Sequence, residues 1–138
     1  MMRLNPYLAV GLGSALGSVL RYCVSLASTA LLGSHFPWGT LLVNVCGSCL
    51  IGWLAAKASR TPHGFLARQQ PLLVAGFCGG FTTFSLFSLE TLHLIQQGSL
   101  ALALMYGVGS LPMCVVAAWA GERIAFSNQP SGSSGSSR

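Results

Sequence analysis

Glycine, threonine and serine residues interrupt a hydrophobic part of the chain at Gly76–Glu90, which reads GFCGGFTTFSLFSLE. Gly79-Gly80 and Thr82-Thr83 disfavour a continuous helix, because Gly costs roughly 1 kcal/mol relative to Ala and Thr is also unfavourable. Non-helical backbone at membrane depth persists only where it is buried in protein or lines a cavity. A break here would leave carbonyls free for a hard cation, and the N–H groups of the next half-helix free for an anion.

Two phenylalanines follow the predicted break. Phe84 and Phe87 are three residues apart, so they share a helix face, with Ser85 and Ser88 beside them. Such a pair in a membrane helix commonly packs against lipid or the protein core. Aromatic ring edges, however, carry partial positive charge. Edges directed into a pore could therefore solvate a small anion weakly, and weak binding at several sites is what conduction requires.

Three further polar side chains fall inside hydrophobic stretches: Arg21, Asn44 and Glu90. A charge in that setting is costly and usually faces a cavity or a partner, although Arg21 could instead snorkel toward an interface. The amide of Asn44 must be hydrogen-bonded, either to a neighbouring helix or as a donor facing an anion. Glu90 taken alone suggests a proton- or cation-coupled site, or a position near the interface.

The elements that would position these residues are membrane helices. The chain has 138 residues, of which 52% are hydrophobic and only 7% are charged, whereas soluble domains carry roughly 25% charged residues. A spanning helix needs about 20 predominantly apolar residues. Four stretches meet that length: Leu8–Leu32, Gly39–Ala56, Pro71–Gln97 and Leu100–Ala120. The composition predicts a single membrane domain over residues 1–125.

Residues 126–138 are predicted to form a disordered tail, because SNQPSGSSGSSR is polar and Ser/Gly-rich and cannot build a core. The composition is also typical of an expression-tag remnant. The net charge of +5 could suggest nucleic acid. The basic residues are scattered beside the predicted spans, so we expect no nucleic-acid partner.

The Lys and Arg residues predict an orientation, since cytoplasmic loops carry the excess of positive charge. One side of the predicted bundle carries six, and the loops near Ser34–Trp38 and Gly98–Ser99 carry none. The six are Arg3, Lys57, Arg60, Arg68, Arg123 and Arg138. Both termini are therefore predicted to lie in the cytoplasm.

Small residues recur four apart in the first stretch, as Gly13-xxx-Gly17 and Ser14-xxx-Ser18. This spacing lets helix backbones approach closely in lipid, either within one chain or between chains. Four short helices cannot enclose much of a pathway by themselves. We therefore expect assembly into at least a dimer.

Five cysteines all fall within the predicted spans, which does not indicate a disulfide framework: Cys23, Cys46, Cys49, Cys78 and Cys114. Cys46 and Cys49 form a CxxC pattern, but inside a helix they are neighbours among small residues. Packing explains them better than redox chemistry.

Three motifs together resemble the Fluc/CrcB family of fluoride channels. They are GSVLRY (Gly17–Tyr22), GTLLVNVCGSCLIG (Gly39–Gly52) and GFCGGFTTFSLFSLE (Gly76–Glu90). The resemblance covers roughly Leu4–Arg123. It implies an all-α integral membrane protein with four transmembrane helices, a broken third helix, and an antiparallel, dual-topology dimer. It also implies a structural Na⁺ at the dimer interface, which is not transported.

The resemblance assigns roles to particular positions. Main-chain carbonyls of Gly79 and Thr82 would hold the sodium ion. The fluoride pore would be lined by Phe84, Phe87, Asn44, Ser85, Thr83 and Ser110. Arg21 and Glu90 would support the pathway. The chain departs from the family pattern at Leu86, often Thr, and at Cys114, where Ser or Thr would continue a polar track in helix four.

The expected function is passive, fluoride-specific export across the cytoplasmic membrane, which would reduce intracellular fluoride toxicity without enzymatic chemistry. Two other functions have requirements that this sequence does not meet. A small four-helix multidrug transporter would need a carboxylate in helix one, and a thiol oxidoreductase would need a second exposed cysteine pair. The expected partners are fluoride, the lipid bilayer and an antiparallel subunit, either a second copy or a homologue with the opposite charge bias.

Overall fold

The computed structural model describes residues 5–127, and these residues are helical apart from short connections. In chain order the elements are α1 (Pro6–Leu32), α2 (Trp38–Arg60), the short α3 (Phe65–Arg68), a π-helical segment (Pro71–Cys78), α4 (Gly79–Phe81), α5 (Ser85–Gln96) and α6 (Leu100–Ser127). The last two residues of α6 fall in the range predicted as tail. Arg3, Arg138 and the rest of that tail lie outside the described residues.

Four stretches are long and apolar enough to cross a membrane: α1, α2, Pro71–Gln96 and α6. The prediction of four spanning helices is therefore confirmed, and each predicted boundary near the start of a span lies within two residues of the observed one. We call Pro71–Gln96 the third span. Large apolar side chains are exposed along every one of these stretches, as expected where a helix faces lipid or a partner.

The first helix begins and ends on residues suited to those positions. The side chain of Asn5 accepts a hydrogen bond from the Tyr7 N–H at 3.1 Å, and Pro6 occupies the first turn. Both choices are favourable at a helix N-terminus. Gly33 ends the helix with a φ of 82°, a left-handed value that favours glycine.

The small residues of α1 pack against the third span of the same chain. A Cβ atom at Gly13 would collide with the Leu72 carbonyl oxygen, and one at Gly17 with the Phe77 carbonyl oxygen. The backbones therefore approach as closely as they can. The glycine pair that could have served either packing within the chain or dimerisation is used within the chain.

The second and sixth helices make a similar close approach. A Cβ at Gly52 would collide with the Ala118 carbonyl, and one at Gly121 with the Cys49 carbonyl. Where one end of α6 passes α5, the chain builds a small buried core of Leu94, Ala103 and Tyr106. α2 and α6 thus form one side of the bundle, and α1 and the first half of the third span form the other.

Candidate functional site

The regular helix of the third span stops at Phe81 and resumes at Ser85. Thr82 is extended, with φ −80° and ψ 158°. Its N–H and its hydroxyl both donate to the Cys78 carbonyl, each at 2.9 Å. The Cys78 carbonyl thus accepts two hydrogen bonds from Thr82, the residue that follows the last helical residue of α4.

The side chain of Asn44 holds the non-helical segment from α2. Its Oδ1 accepts from the Thr83 N–H at 2.8 Å, and its Nδ2 donates to the Thr83 carbonyl at 2.9 Å. The amide of Asn44 therefore replaces both of the backbone partners that a helix would give Thr83. A primary amide carries two N–H groups, so one remains for another acceptor.

Helix α1 donates to the third span just before this segment. The Ser14 hydroxyl donates to the Gly76 carbonyl at 3.3 Å. The Ser18 hydroxyl at 3.3 Å and the Arg21 Nε at 3.2 Å both donate to the Gly80 carbonyl. Arg21 is half-buried, and its guanidinium places a positive charge on the main chain next to the interruption.

A cavity of about 360 Å³ opens at the interruption. It is lined by most of the predicted site residues, namely Asn44, Gly79, Thr82, Thr83, Phe84, Phe87 and Ser110. Cys114, the departure in helix four, also lines it. Of the remaining predicted residues, Ser85 lies beside it with its hydroxyl 3.3 Å from that of Thr83, while Arg21 and Glu90 are placed elsewhere.

The two phenylalanines of this cavity differ in their surroundings. Their ring centroids are 5.6 Å apart. Phe84 is 74% exposed. Phe87 is half-buried, and its ring lies 5.0 Å from that of Tyr106. Phe87 therefore belongs both to the cavity wall and to the core, whereas Phe84 projects from the chain.

Glu90 is the centre of a hydrogen-bond cluster that joins three helices. The Thr40 hydroxyl of α2 donates to its Oε1, and the Tyr106 hydroxyl of α6 donates to its Oε2, both at 2.8 Å. Thr40 is 2% exposed and Tyr106 is 1% exposed. The sequence pattern indicated the carboxylate but neither donor, although a lone intramembrane acid requires polar partners such as buried hydroxyls.

Glu90 also borders a second cavity of about 520 Å³ near the α1–α2 loop. His35 and His93 line it, together with hydroxyls such as those of Ser25 and Thr29. No chemistry was predicted for His93. The Phe87 ring and the Glu90 cluster lie close together, because Tyr106 touches both.

The carbonyls of Gly79 and Thr82 fit a cation held by main-chain oxygens. In a regular helix they would accept from the N–H groups of Thr83 and Leu86. The Thr83 N–H is instead bound by Asn44, and the Leu86 N–H donates to the Thr83 hydroxyl at 3.2 Å. Uncharged carbonyl oxygens of this kind suit hard cations. Over residues 5–127, no group of three or more His, Cys, Asp or Glu side chains could hold a metal ion.

Comparisons with known proteins show the family of the chain. The family model for "CrcB-like protein, Camphor Resistance (CrcB)" matches residues 8–122. The chain is 48% identical over 124 residues to the "Fluoride-specific ion channel FluC" of Nitrobacter winogradskyi, covering 89% of this chain and 97% of the relative. It is 46% identical over 123 residues to "Fluoride-specific ion channel FluC 1" of Rhodopseudomonas palustris, covering 86% and 85%. With its four helices of spanning length, the chain is a multi-pass membrane protein that belongs to the CrcB family.

Proposed function

We propose that the protein is a subunit of a fluoride-specific ion channel in the cytoplasmic membrane. The observation that carries the proposal is the cavity at the interruption of the third span, where an amide, two phenyl rings and a hydroxyl converge. The names of relatives that share nearly half of their residues with this chain support the choice of ion.

The groups in this cavity suit a small anion that must leave again. The second N–H of Asn44, the hydroxyl of Ser110 and the ring edges of Phe84 and Phe87 supply weak positive potential. A formal positive charge in the wall would bind fluoride tightly and slow its release. An inside-negative membrane potential drives the anion outward, at about 2.3 kcal/mol per charge per 100 mV.

We further propose that two subunits pair in antiparallel orientation, with their broken third spans meeting at the centre. Gly79 and Thr82 of each subunit would contribute carbonyl oxygens to one structural sodium ion. The diverted helical donors described above support this assignment. When bound, the ion supplies a fixed positive charge, and the carbonyls of this chain hold it in place without transporting it.

The partner is either a second copy or a homologous chain. The six-to-zero bias of Lys and Arg favours one orientation, so a homologue inserted the other way would complete the pair. Alternatively, pairing traps a minor inverted population of this chain. To decide, we would express the chain alone and label its C-terminus with an impermeant reagent. Labelling from both sides together with flux indicates self-pairing, whereas one-sided labelling without flux indicates a heteromer.

The decisive test of function is fluoride efflux from liposomes reconstituted with the protein, followed with a fluoride electrode. We expect rapid release of fluoride and no release of chloride under the same gradient. If the chain alone is inactive, the assay is repeated with a co-expressed inverted homologue. Equal fluoride and chloride release, or no release in either format, contradicts the proposal.

A small multidrug transporter remains the alternative function. Such a protein needs a membrane-centre carboxylate in its first helix, and α1 contains neither Asp nor Glu. Transport of a lipophilic cation driven by a proton gradient, without fluoride flux, would favour this alternative.

A thiol oxidoreductase would instead depend on Cys46 and Cys49, which lie in α2 as free cysteines. Replacing both with Ala should leave fluoride efflux unchanged.

A further inference from the structure

Two side chains determine which main-chain carbonyls are released at the interruption of the third span. A helical carbonyl is released when the N–H four residues later finds another acceptor. For Gly79 that donor is the Thr83 N–H, which lies 2.8 Å from Asn44 Oδ1. For Thr82 it is the Leu86 N–H, which lies 3.2 Å from the Thr83 hydroxyl. Together, the two diversions release the pair of carbonyls that is assigned to the sodium ion.

Two of the neighbouring carbonyls are occupied by side-chain donors. The Gly80 carbonyl accepts from the Ser18 hydroxyl and the Arg21 Nε. The Thr83 carbonyl accepts from Asn44 Nδ2 at 2.9 Å. Between residues 79 and 83, side chains thus occupy two carbonyls and remove the helical donors from two others. These hydrogen bonds leave the Gly79 and Thr82 carbonyls available to a cation, while the Phe81 carbonyl between them is engaged by neither side chain.

We propose that Asn44 and Thr83 are positioning residues for cation binding, in addition to lining the ion pathway. Without the Asn44 acceptor, the Thr83 N–H can return to the Gly79 carbonyl and extend α4. Without the Thr83 hydroxyl, the Leu86 N–H can return to the Thr82 carbonyl and extend α5 backward. Either change makes a cation compete with a helical hydrogen bond for its ligand. This inference rests on the sodium site put forward above.

The Asn44–Thr83 contact also links the two proposed ion sites. The Asn44 amide is held at both ends by Thr83, so its remaining N–H faces the cavity in one orientation. A cation that holds the Gly79 and Thr82 carbonyls in turn keeps the Thr83 N–H directed at α2. Loss of the cation would release Asn44 and change the pathway wall.

The test measures sodium affinity through protein stability. Purified protein is depleted of sodium, and the midpoint of thermal unfolding is followed by tryptophan fluorescence. Sodium chloride replaces N-methylglucamine chloride at constant ionic strength. Binding to the folded state stabilises it by RT ln(1 + [Na⁺]/Kd), so a fit of the unfolding midpoints across the titration gives the sodium dissociation constant, which is the half-saturating sodium concentration. A purely structural role would lower the midpoint equally at all concentrations without moving that value.

Two variants and two matched controls complete the design. Asn44→Ala and Thr83→Val should each raise the half-saturating sodium concentration by about fivefold or more, the worth of one net hydrogen bond. Thr83→Ser keeps the hydroxyl and should leave the half-saturating sodium concentration unchanged. Ser14→Ala removes a comparable bond to the third span, at Gly76, and should also bind sodium normally.

Wild-type half-saturation in both Asn44→Ala and Thr83→Val overturns the inference. If Asn44→Ala does not fold, the difference between Thr83→Val and Thr83→Ser decides. A wild-type protein whose unfolding ignores sodium overturns both the inference and the sodium site. The fluoride efflux assay on that same preparation then shows separately whether the channel function stands.

Discussion

The two halves of the third span are held by different neighbours and in different ways. The first half, the π-helical segment with α4, lies directly on the backbone of α1, where Gly13 and Gly17 leave no space for a side chain. The second half, α5, is held at a distance through side chains. Its Glu90 receives hydrogen bonds from Thr40 and Tyr106.

The interruption lies between these two sets of contacts. The first half is bound through its backbone, by the close approach of α1 and by hydrogen bonds from Ser14, Ser18 and Arg21, whereas the second half is bound through the Glu90 side chain. The interruption at Thr82–Phe84 is the point at which the supporting helices change from α1 to α2 and α6. Asn44 bridges that point from α2.

The largest expected loss of stability comes from disrupting the contact between α1 and the first half of the third span. Gly17→Val would drive a side chain into the Phe77 carbonyl and the Phe81 N–H, both of which are backbone groups. We expect a loss of about 3 kcal/mol or more in unfolding free energy, because backbone cannot move aside as a side chain can. The measurement is the folded yield and the unfolding midpoint in detergent.

The matched control lies on the same helix. Gly11 has no atom within 4 Å of its position for a Cβ, so Gly11→Val should fold normally within the subunit. Equal destabilisation by Val at positions 11 and 17 would show that helix propensity, and not close contact with the third span, limits stability.

A smaller loss of unfolding free energy is expected when the Glu90 hydrogen bonds that hold the second half are removed. Glu90→Ala leaves the buried hydroxyls of Thr40 and Tyr106 without their acceptor, at a cost of about 2 kcal/mol. Glu90→Gln keeps an acceptor and should lose about half as much. The chain's other acid, Glu122, is exposed on α6, and Glu122→Ala should leave unfolding unchanged. If Glu90→Ala is as stable as wild type, the cluster does not hold α5.

Variants of the two phenylalanines should differ in stability but not in their effect on transport. Phe84→Ile and Phe87→Ile should each sharply reduce fluoride efflux. Only Phe87→Ile should also destabilise the fold, by about 1 kcal/mol, because its ring packs on Tyr106 whereas Phe84 is exposed. Wild-type efflux in both variants would exclude the ring-edge role. Equal unfolding midpoints would contradict the difference in packing.

The sequence predicted the spans because each depends on local composition. It also predicted a helix break near Gly79 and Thr82 and a hydrogen-bonded amide at Asn44, since glycine pairs and lone amides are unfavourable in a hydrophobic helix. It did not decide whether Asn44 bonds to a helix or faces an anion. The structure shows one N–H engaged with Thr83 and leaves the other for the cavity.

Contacts between distant residues could not be predicted in this way. Thr40 and Glu90 are 50 residues apart, and their contact depends on how α2 lies against α5. The use of Gly13 and Gly17 within the chain is a similar case, because close-packing motifs look the same within and between subunits. Spacing identifies a surface that can approach another helix, and only the fold identifies which helix.

The smallest expected effect concerns Cys114, where the cavity wall departs from a hydroxyl-lined track. Cys114 lines the cavity together with Ser110, and a thiol is a weaker hydrogen-bonding group than a hydroxyl. Cys114→Ser changes one atom on the α6 side of the cavity and touches neither attachment of the third span. Stability should therefore stay within about 0.5 kcal/mol of wild type. Efflux should rise by about twofold at most, since an added O–H can solvate the passing anion.

The control is Cys23→Ser, an exposed position on α1, which should change neither stability nor efflux. A fall in efflux for Cys114→Ser alone would show that the thiol keeps this part of the wall weakly polar, and that a hydroxyl there holds the anion too long.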